Sequence, residues 1–175
     1  MQAEGDLGLD SLLDTRGGRV IVQTVKYSTS KGVVEVTFLR QNGEDLEKVV
    51  FASSDVPRKQ FVTAWKALVG DFRYIMHQSE DNDLEVLGIH FKNAGGRATY
   101  QLLGGLRVEA GFSSLNSPTM YEPDGDLFEE ACLTEEQEKR FVKVAAQAVK
   151  YVKGARTALS TLEVEETEEE KAPAE

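Results

Sequence analysis

The sequence predicts an α+β fold in which antiparallel strands form two meanders, each followed by a helix. Three observations carry this expectation. Runs rich in β-branched residues come in threes between glycine-containing turns. Each set gives way to a segment whose apolar residues recur at helical spacing. The order strands, helix, strands, helix separates the two kinds of element along the chain, the plan of an α+β protein.

The first meander begins with "RVIVQTVKYS" and "VVEVTFLRQ". In the second of these, Val34, Val36 and Phe38 alternate with Glu35, Thr37 and Leu39, a strand with one face buried. Lys31-Gly32 and Asn42-Gly43 mark turns, and "LEKVVFA" makes a third strand. Ser53, Ser54 and Asp55 offer N-caps for the helix that follows, with Pro57 near its first turn. Phe61, Trp65, Leu68, Phe72 and Ile75 then recur at spacings of three and four, so one helix face turns inward. Trp65 and Phe72 read as core residues on that face, not as a ligand-stacking pair.

The second half repeats the plan. "DLEVLGIHFKN", "RATYQLL" and "LRVEAGF" read as short strands of a second sheet, around Gly-Gly turns at 95–96 and 104–105. Phe91 alternates with Ile89 and Leu87, which points it into the core. Past the loop "SSLNSPTMYEPDGDLFEEAC", Thr134 opens the last helix as N-cap, with Gln137 three residues on as its capping-box partner. Phe141, Val144, Ala145, Ala148, Val152, Ala155 and Leu159 share one face of a helix expected to run to about residue 160. The element order is β-β-β-α, then β-β-β-(β)-α. Residues 1–17 are expected to be a flexible acidic arm, 18–161 a single α+β domain, and 162–175 a disordered acidic tail.

At 175 residues and 41% hydrophobic content the chain can bury one sizeable core. No stretch approaches the roughly 18 apolar residues of a membrane span. The N-terminus "MQAEGDLGLDSLLDTR" lacks the basic and apolar regions of a signal peptide, so a cytoplasmic protein with no membrane partner is expected. A lone Cys132 fits a reducing compartment. With His77 and His90 as the only histidines, a structural zinc site of Cys and His ligands is out of reach.

Catalytic patterns are equally sparse. A serine hydrolase needs a nucleophile, a histidine base and an orienting acid, yet there is no G-x-S-x-G elbow and His90 sits inside a strand pattern, on its polar face. Asp81, Asp83 and Glu85 alternate, and Asp124 and Asp126 lie beside a glycine. Either set has oxygens for Ca²⁺ or Mg²⁺, but neither matches the EF-hand spacing, and acidic surface loops are common. No phosphate-cradling glycine motif is present, and the Gly-Gly pairs read as turns. The expectation is a non-enzymatic protein with no cofactor, no metal site and no catalytic residues.

Charge is more informative. The net charge is −10, and residues 163–175 carry seven Glu against one Lys. Just before them, residues 139–162 hold Lys139, Arg140, Lys143, Lys150, Lys153 and Arg156 without one acid. At about 100° per residue, Lys139, Lys143, Lys150 and Lys153 fall within an arc of roughly 80° opposite the apolar face. Such a stripe is ordinarily the solvated face of an amphipathic helix, but solvated faces usually mix signs and this one does not. The hairpin "HFKNAGGRATY" sets Lys92 and Arg97 on either side of a turn, flanked by Phe91 and Tyr100, the mixture of cations and rings that suits single-stranded nucleic acid.

"ASSDVPRKQFVTAW", "LEVLGIHFKN", "GRATYQLL", "LNSPTMYEP" and "AVKYVKGARTA" together resemble the landmarks of a family of small uncharacterised proteins encoded by tailed bacteriophages, over residues 20–160. The resemblance implies a phage product made in the cytoplasm of a host bacterium, from a region that also encodes replication and recombination functions. It supplies no catalytic residues. The duplicated plan of strands followed by a helix also resembles Whirly and PUR-type single-stranded nucleic-acid binders in architecture, which by itself fixes no function.

Two readings lead, ahead of an enzyme that uses the Asp124, Asp126 and Glu129 region. One is an accessory protein of phage DNA metabolism that binds single-stranded DNA through Lys139, Lys143, Lys150 and Lys153 and through Lys92 and Arg97, with the acidic tail competing for the site. The other is a protein-binding module that engages or inhibits a host or phage protein. An exposed sheet edge would also invite pairing of subunits into a homo-oligomer.

Overall fold

The computed structural model describes residues 14–15, 18–124 and 132–154. The acidic tail, most of the arm, Asp126, Glu129 and the stretch from Ala155 onward lie outside these residues. Eight strands and two helices follow in the order β1 (Asp14–Thr15), β2 (Gly18–Ser28), β3 (Val33–Asn42), β4 (Asp45–Ser53), α1 (Lys59–Ile75), β5 (Asp83–Ala94), β6 (Arg97–Val108), β7 (Gly111–Asn116), β8 (Met120–Tyr121) and α2 (Glu135–Val152). This is the α+β order expected, with each helix after its strands. At the end of the arm, Asp14–Thr15 pair back on Gly18–Arg19.

The meanders do not make two sheets. Their first strands, β2 and β5, pair antiparallel through Thr24↔His90, Val25↔Ile89 and Lys26↔Gly88, giving one sheet in the order β4-β3-β2-β5-β6-β7, with β1 and β8 added on β2 and β6. That pairing joins residues more than sixty apart in sequence, a link no local pattern can signal. Directly paired residues share a face. Val22, Val25, Val34, Val36, Phe38, Leu84, Val86, Ile89, Phe91, Tyr100 and Leu102 all face one side and are buried. Both helices cover this side, and the other side is open.

Both central strands are irregular, β2 between Val22 and Thr24 and β5 between Val86 and Gly88. The second bulge corrects the expected phase of β5. Val86 takes the inward position at 2% exposure, while Leu87 is only half-buried. Phe91 points inward as expected.

The Gly-Gly pair at 95–96 is a turn, with φ of 63° and 82°. The pair at 104–105 is not, because β6 runs straight through it to Val108. These glycines are places where rings lie on the sheet. A Cβ on Gly104 would collide with the Glu85 carbonyl oxygen of the neighbouring strand and stand 2.7 Å from Phe72 Cε1 on the helix side, and one on Gly105 would collide with the Phe112 ring on the open side.

Helix α1 buries Phe61, Ala64, Trp65, Leu68, Asp71 and Phe72. Phe61 and Trp65 stack at 6.1 Å, with Tyr27 edge-on to both. Its N-cap is Arg58, which makes no side-chain capping bond. Ser53, Ser54 and Asp55 come too early to cap, because Pro57 favours an extended residue before it and delays the helix. Ser53 Oγ instead accepts the Asp55 N–H, and the Asp55 carbonyl accepts the Tyr151 hydroxyl of α2 at 2.7 Å. The capping box of α2 is formed as expected: Thr134 Oγ1 accepts the Gln137 N–H, and Gln137 Oε1 accepts the Thr134 N–H. The helix ends sooner than expected, with Lys153 as C-cap and Gly154 at φ 105°.

Replacing Gly104 with Ala is predicted to destabilise the protein by about 1–3 kcal/mol, the usual range for overpacking. Urea unfolding measures this, and an unchanged midpoint would mean that neither the Glu85 carbonyl nor the Phe72 ring crowds this position.

Candidate nucleic-acid interface

On α2, Phe141, Val144, Ala145, Ala148, Val149 and Tyr151 are buried against the sheet and α1. The remaining turn of the wheel carries Lys139, Lys143, Lys150 and Lys153, all exposed. Lys139 meets Glu136 at 3.3 Å, with both side chains largely in solvent. Such a pair contributes little. Lys143, Lys150 and Lys153 have no ion pair among the described residues.

The arginines are mostly engaged, whereas Lys31, Lys48, Arg58, Lys59 and Lys66 also have no ion pair among the described residues. Lys26 meets Glu35 at 3.2 Å, Arg40 meets Glu47 at 2.7 Å and Arg107 meets Glu85 at 2.7 Å. Arg73 donates to the carbonyls of Ser79 and Asn82. Arg97 is held by Asp124 at 3.3 Å and Glu122 at 4.0 Å, with its guanidinium over the Tyr121 ring at 5.2 Å. Lys92 is exposed and without an ion pair among the described residues.

The hairpin and the helix do not form one surface. Lys92 pairs in register with Thr99, two residues along from the His90↔Gln101 pair on the open face of the sheet. Arg97, two residues before Thr99, has the same phase. Helix α2 lies on the other face. The hairpin rings are not offered to a ligand either, since Phe91 and Tyr100 are buried and pack edge to face at 5.9 Å. The Tyr100 hydroxyl donates to Glu138 Oε1 at 2.7 Å. Burial, the Glu138 hydrogen bond and nearby acids hold this phenol far above its ordinary pKa.

On the open face His90 Nδ1 and Thr24 Oγ1 stand 2.8 Å apart. Burial first, then Lys92 and Lys26, lower the His90 pKa. Of the acids noted in the sequence, Asp83 and Glu85 surround Arg107 and Asp124 holds Arg97. Among the described residues no group of three or more His, Cys, Asp or Glu is placed to hold a metal. No described helix is long and apolar enough to cross a membrane.

Between the two helices lies a groove of about 540 Å³, lined by Ala67, Gly70, Asp71 and Tyr74 of α1 and by Thr134, Gln137 and Arg140. Sequence reasoning did not find it. The α1 residues fall at i, i+3, i+4 and i+7, one helix face. Asp71 is 5% exposed, and Arg140 grips it through Nε at 2.8 Å and Nη2 at 2.7 Å. The Asp71 hydrogen bond raises the Arg140 pKa, so the guanidinium stays charged. The available signal was an acid between Leu68 and Phe72 on an otherwise apolar face.

No family model, curated protein or solved structure matches this chain.

Two outcomes are predicted. Arg140→Met alone leaves the Asp71 carboxylate buried without its partner and costs toward the lower end of roughly 3–5 kcal/mol, because Arg140 is partly solvated. Adding Asp71→Leu recovers much of that loss in urea unfolding. Separately, a lowered folded-state pKa means that the unfolded chain binds more protons at His90, so stability present above about pH 6.5 is lost as pH falls below it. The His90→Gln variant is predicted to show a flatter thermal-stability profile between about pH 7 and 5 than wild type; an equal slope would contradict the assignment.

Proposed function

We propose that the protein is a non-enzymatic accessory factor of phage DNA metabolism, acting in the host bacterial cytoplasm, that binds single-stranded DNA along the solvent face of α2. The observation that supports this most is the stripe of Lys139, Lys143, Lys150 and Lys153, exposed on one face of one helix, with a single ion pair, Lys139 to Glu136, among the described residues. Free lysines on one helix face suit a phosphate backbone, whose binding draws on counterion release. A net charge of −10 opposes general attraction to nucleic acid, so contact depends on this local segregation of charge. Lys92 lies on the opposite side and Arg97 is engaged, so the binding surface is assigned to the helix.

In the same reading the acidic residues 163–175 act as an intramolecular competitor. Eight residues separate Gly154 from Glu163, a tether short enough to keep the glutamates at high effective concentration around the lysines. A second reading, a surface that engages a host or phage protein, is favoured by exposed Leu46 and Val50 on the open side of β4, at 57% and 59% exposure.

Fluorescence anisotropy with oligo(dT) separates the two. Three or four phosphate contacts, at about 0.7 per contact, predict a slope of log affinity on log salt of roughly −2 to −3, a loss of about 20- to 50-fold between 50 and 200 mM salt. Deleting residues 163–175 is expected to tighten binding most at low salt. Lys143→Glu with Lys150→Glu is expected to abolish both binding and that gain. Absence of binding by the truncated protein at low salt gives the lead to the protein-binding reading.

A further inference from the structure

The groove between α1 and α2 is built from hydrogen-bond donors. Gln137 is 6% exposed, and its Oε1 is committed to the Thr134 N–H, which orients the amide and leaves Nε2 without a partner among the described residues. No fully buried side-chain polar atom among the described residues is unsatisfied, so this Nε2 reaches the groove that Gln137 lines. A buried amide that spends its acceptor on its own helix cap and presents its donor to an open groove is a feature the capping role does not require.

Arg140 adds to this. It uses Nε and one Nη2 hydrogen on Asp71, so the Nη1 edge of the guanidinium remains for another acceptor. Each Asp71 oxygen accepts from Arg140 and the residue is 5% exposed, so little of its acceptor surface faces the groove, and Thr134 Oγ1 already accepts the Gln137 N–H. Donors therefore predominate in the groove. Its α1 wall is cut back to Ala67 and Gly70, and Tyr74 stands at its end, 71% exposed. The result is a wide, open groove with room for a planar group beside an aromatic ring.

A carboxylate or phosphate would also accept from these donors, but the electrostatics oppose it. Asp71 cancels the Arg140 charge, and Glu135, Glu136 and Glu138 crowd the first turn of α2. A neutral edge with two adjacent acceptors fits better. Among purines this is the O6 and N7 edge of guanine, whereas adenine sets a donor beside N7.

We infer that the groove is a guanine-accepting base pocket, with Tyr74 as the stacking ring and Gln137 Nε2 and Arg140 as the reading donors. The inference rests on the single-stranded DNA reading for its placement. Arg140 and Lys143 are neighbours on the helix surface at i, i+3, so a strand tracking Lys139 and Lys143 passes the groove mouth.

The test uses full-length protein and five probes: oligo(dT), the same oligonucleotide with central guanines or central cytosines, and the free monophosphates dGMP and TMP. Wild type is expected to prefer the guanine oligonucleotide over oligo(dT) by on the order of five- to tenfold. Gln137→Glu keeps a residue that serves a capping box at this position and exchanges the donor for an acceptor; Tyr74→Ala alters an exposed side chain. Both are expected to abolish the guanine preference, read as the ratio of guanine to oligo(dT) affinity, with the added charge of Gln137→Glu weakening both oligonucleotides alike and Tyr74→Ala leaving oligo(dT) bound, whereas Lys143→Glu with Lys150→Glu removes oligo(dT) binding. Equal affinity for the guanine and thymine oligonucleotides, a cytosine preference, or a guanine preference that survives Gln137→Glu overturns the pocket and leaves the lysine stripe standing. If oligo(dT) does not bind at all, the stripe reading fails, and the pocket is judged by NMR. Displacement of the Gln137 side-chain amide signal by dGMP but not by TMP supports it, and no displacement by dGMP overturns it.

Discussion

The pairing of β2 with β5 is the constraint on which the rest depends. Each meander alone is a three-stranded sheet with one apolar face, enough to hold one helix and little more. Joining them through Thr24↔His90, Val25↔Ile89 and Lys26↔Gly88 aligns both apolar faces on one side, so α1 and α2 must lie next to each other. Their adjacency brings Asp71 to Arg140, opens the groove between them and turns the lysines of α2 away from the core. It also separates the two basic features of the sequence, sending the hairpin cations to the opposite surface.

How much of this was legible followed from how local each feature is. The face of α1, the face of α2 from Phe141 to Ala148, the capping box at Thr134 and Gln137, and the inward alternation of Val34, Val36 and Phe38 all follow from spacings within about four residues, and the structure reproduces them. The joining of the sheets was not legible, because it rests on a contact between residues 24–26 and 88–90. Gly104-Gly105 reads as a turn because glycine permits turns, yet its reason is steric: the Glu85 carbonyl and the Phe72 ring crowd Gly104, and the Phe112 ring and the Ser113 carbonyl crowd Gly105. Leu87 was placed inward because a bulge, which adds one residue to the strand, leaves no reliable trace in a pattern of period two.

The candidate site divides in the same way. The lysine stripe was visible as an absence of acids over a helical span. The groove was not, since its parts come from α1, from the residue before α2 and from α2 itself. Gln137 was recognised as a capping residue, and only its burial beside Arg140 gives its amide nitrogen a second meaning. Arg140 shows why charge counts need geometry: it belongs to the basic run in sequence but is spent on Asp71 in the fold, which separates a structural cation from the exposed lysines around it.

The most direct measurement of the central claim is an amide chemical-shift map of the full chain titrated with a single-stranded oligonucleotide at low salt. The account predicts perturbations concentrated along α2 at Lys139, Lys143, Lys150 and Lys153, reaching Gln137 and Tyr74 with guanine present, and leaving Thr24, His90, Lys92 and Gln101 unmoved. Perturbations confined to that open sheet face, or none anywhere in the chain, would contradict it.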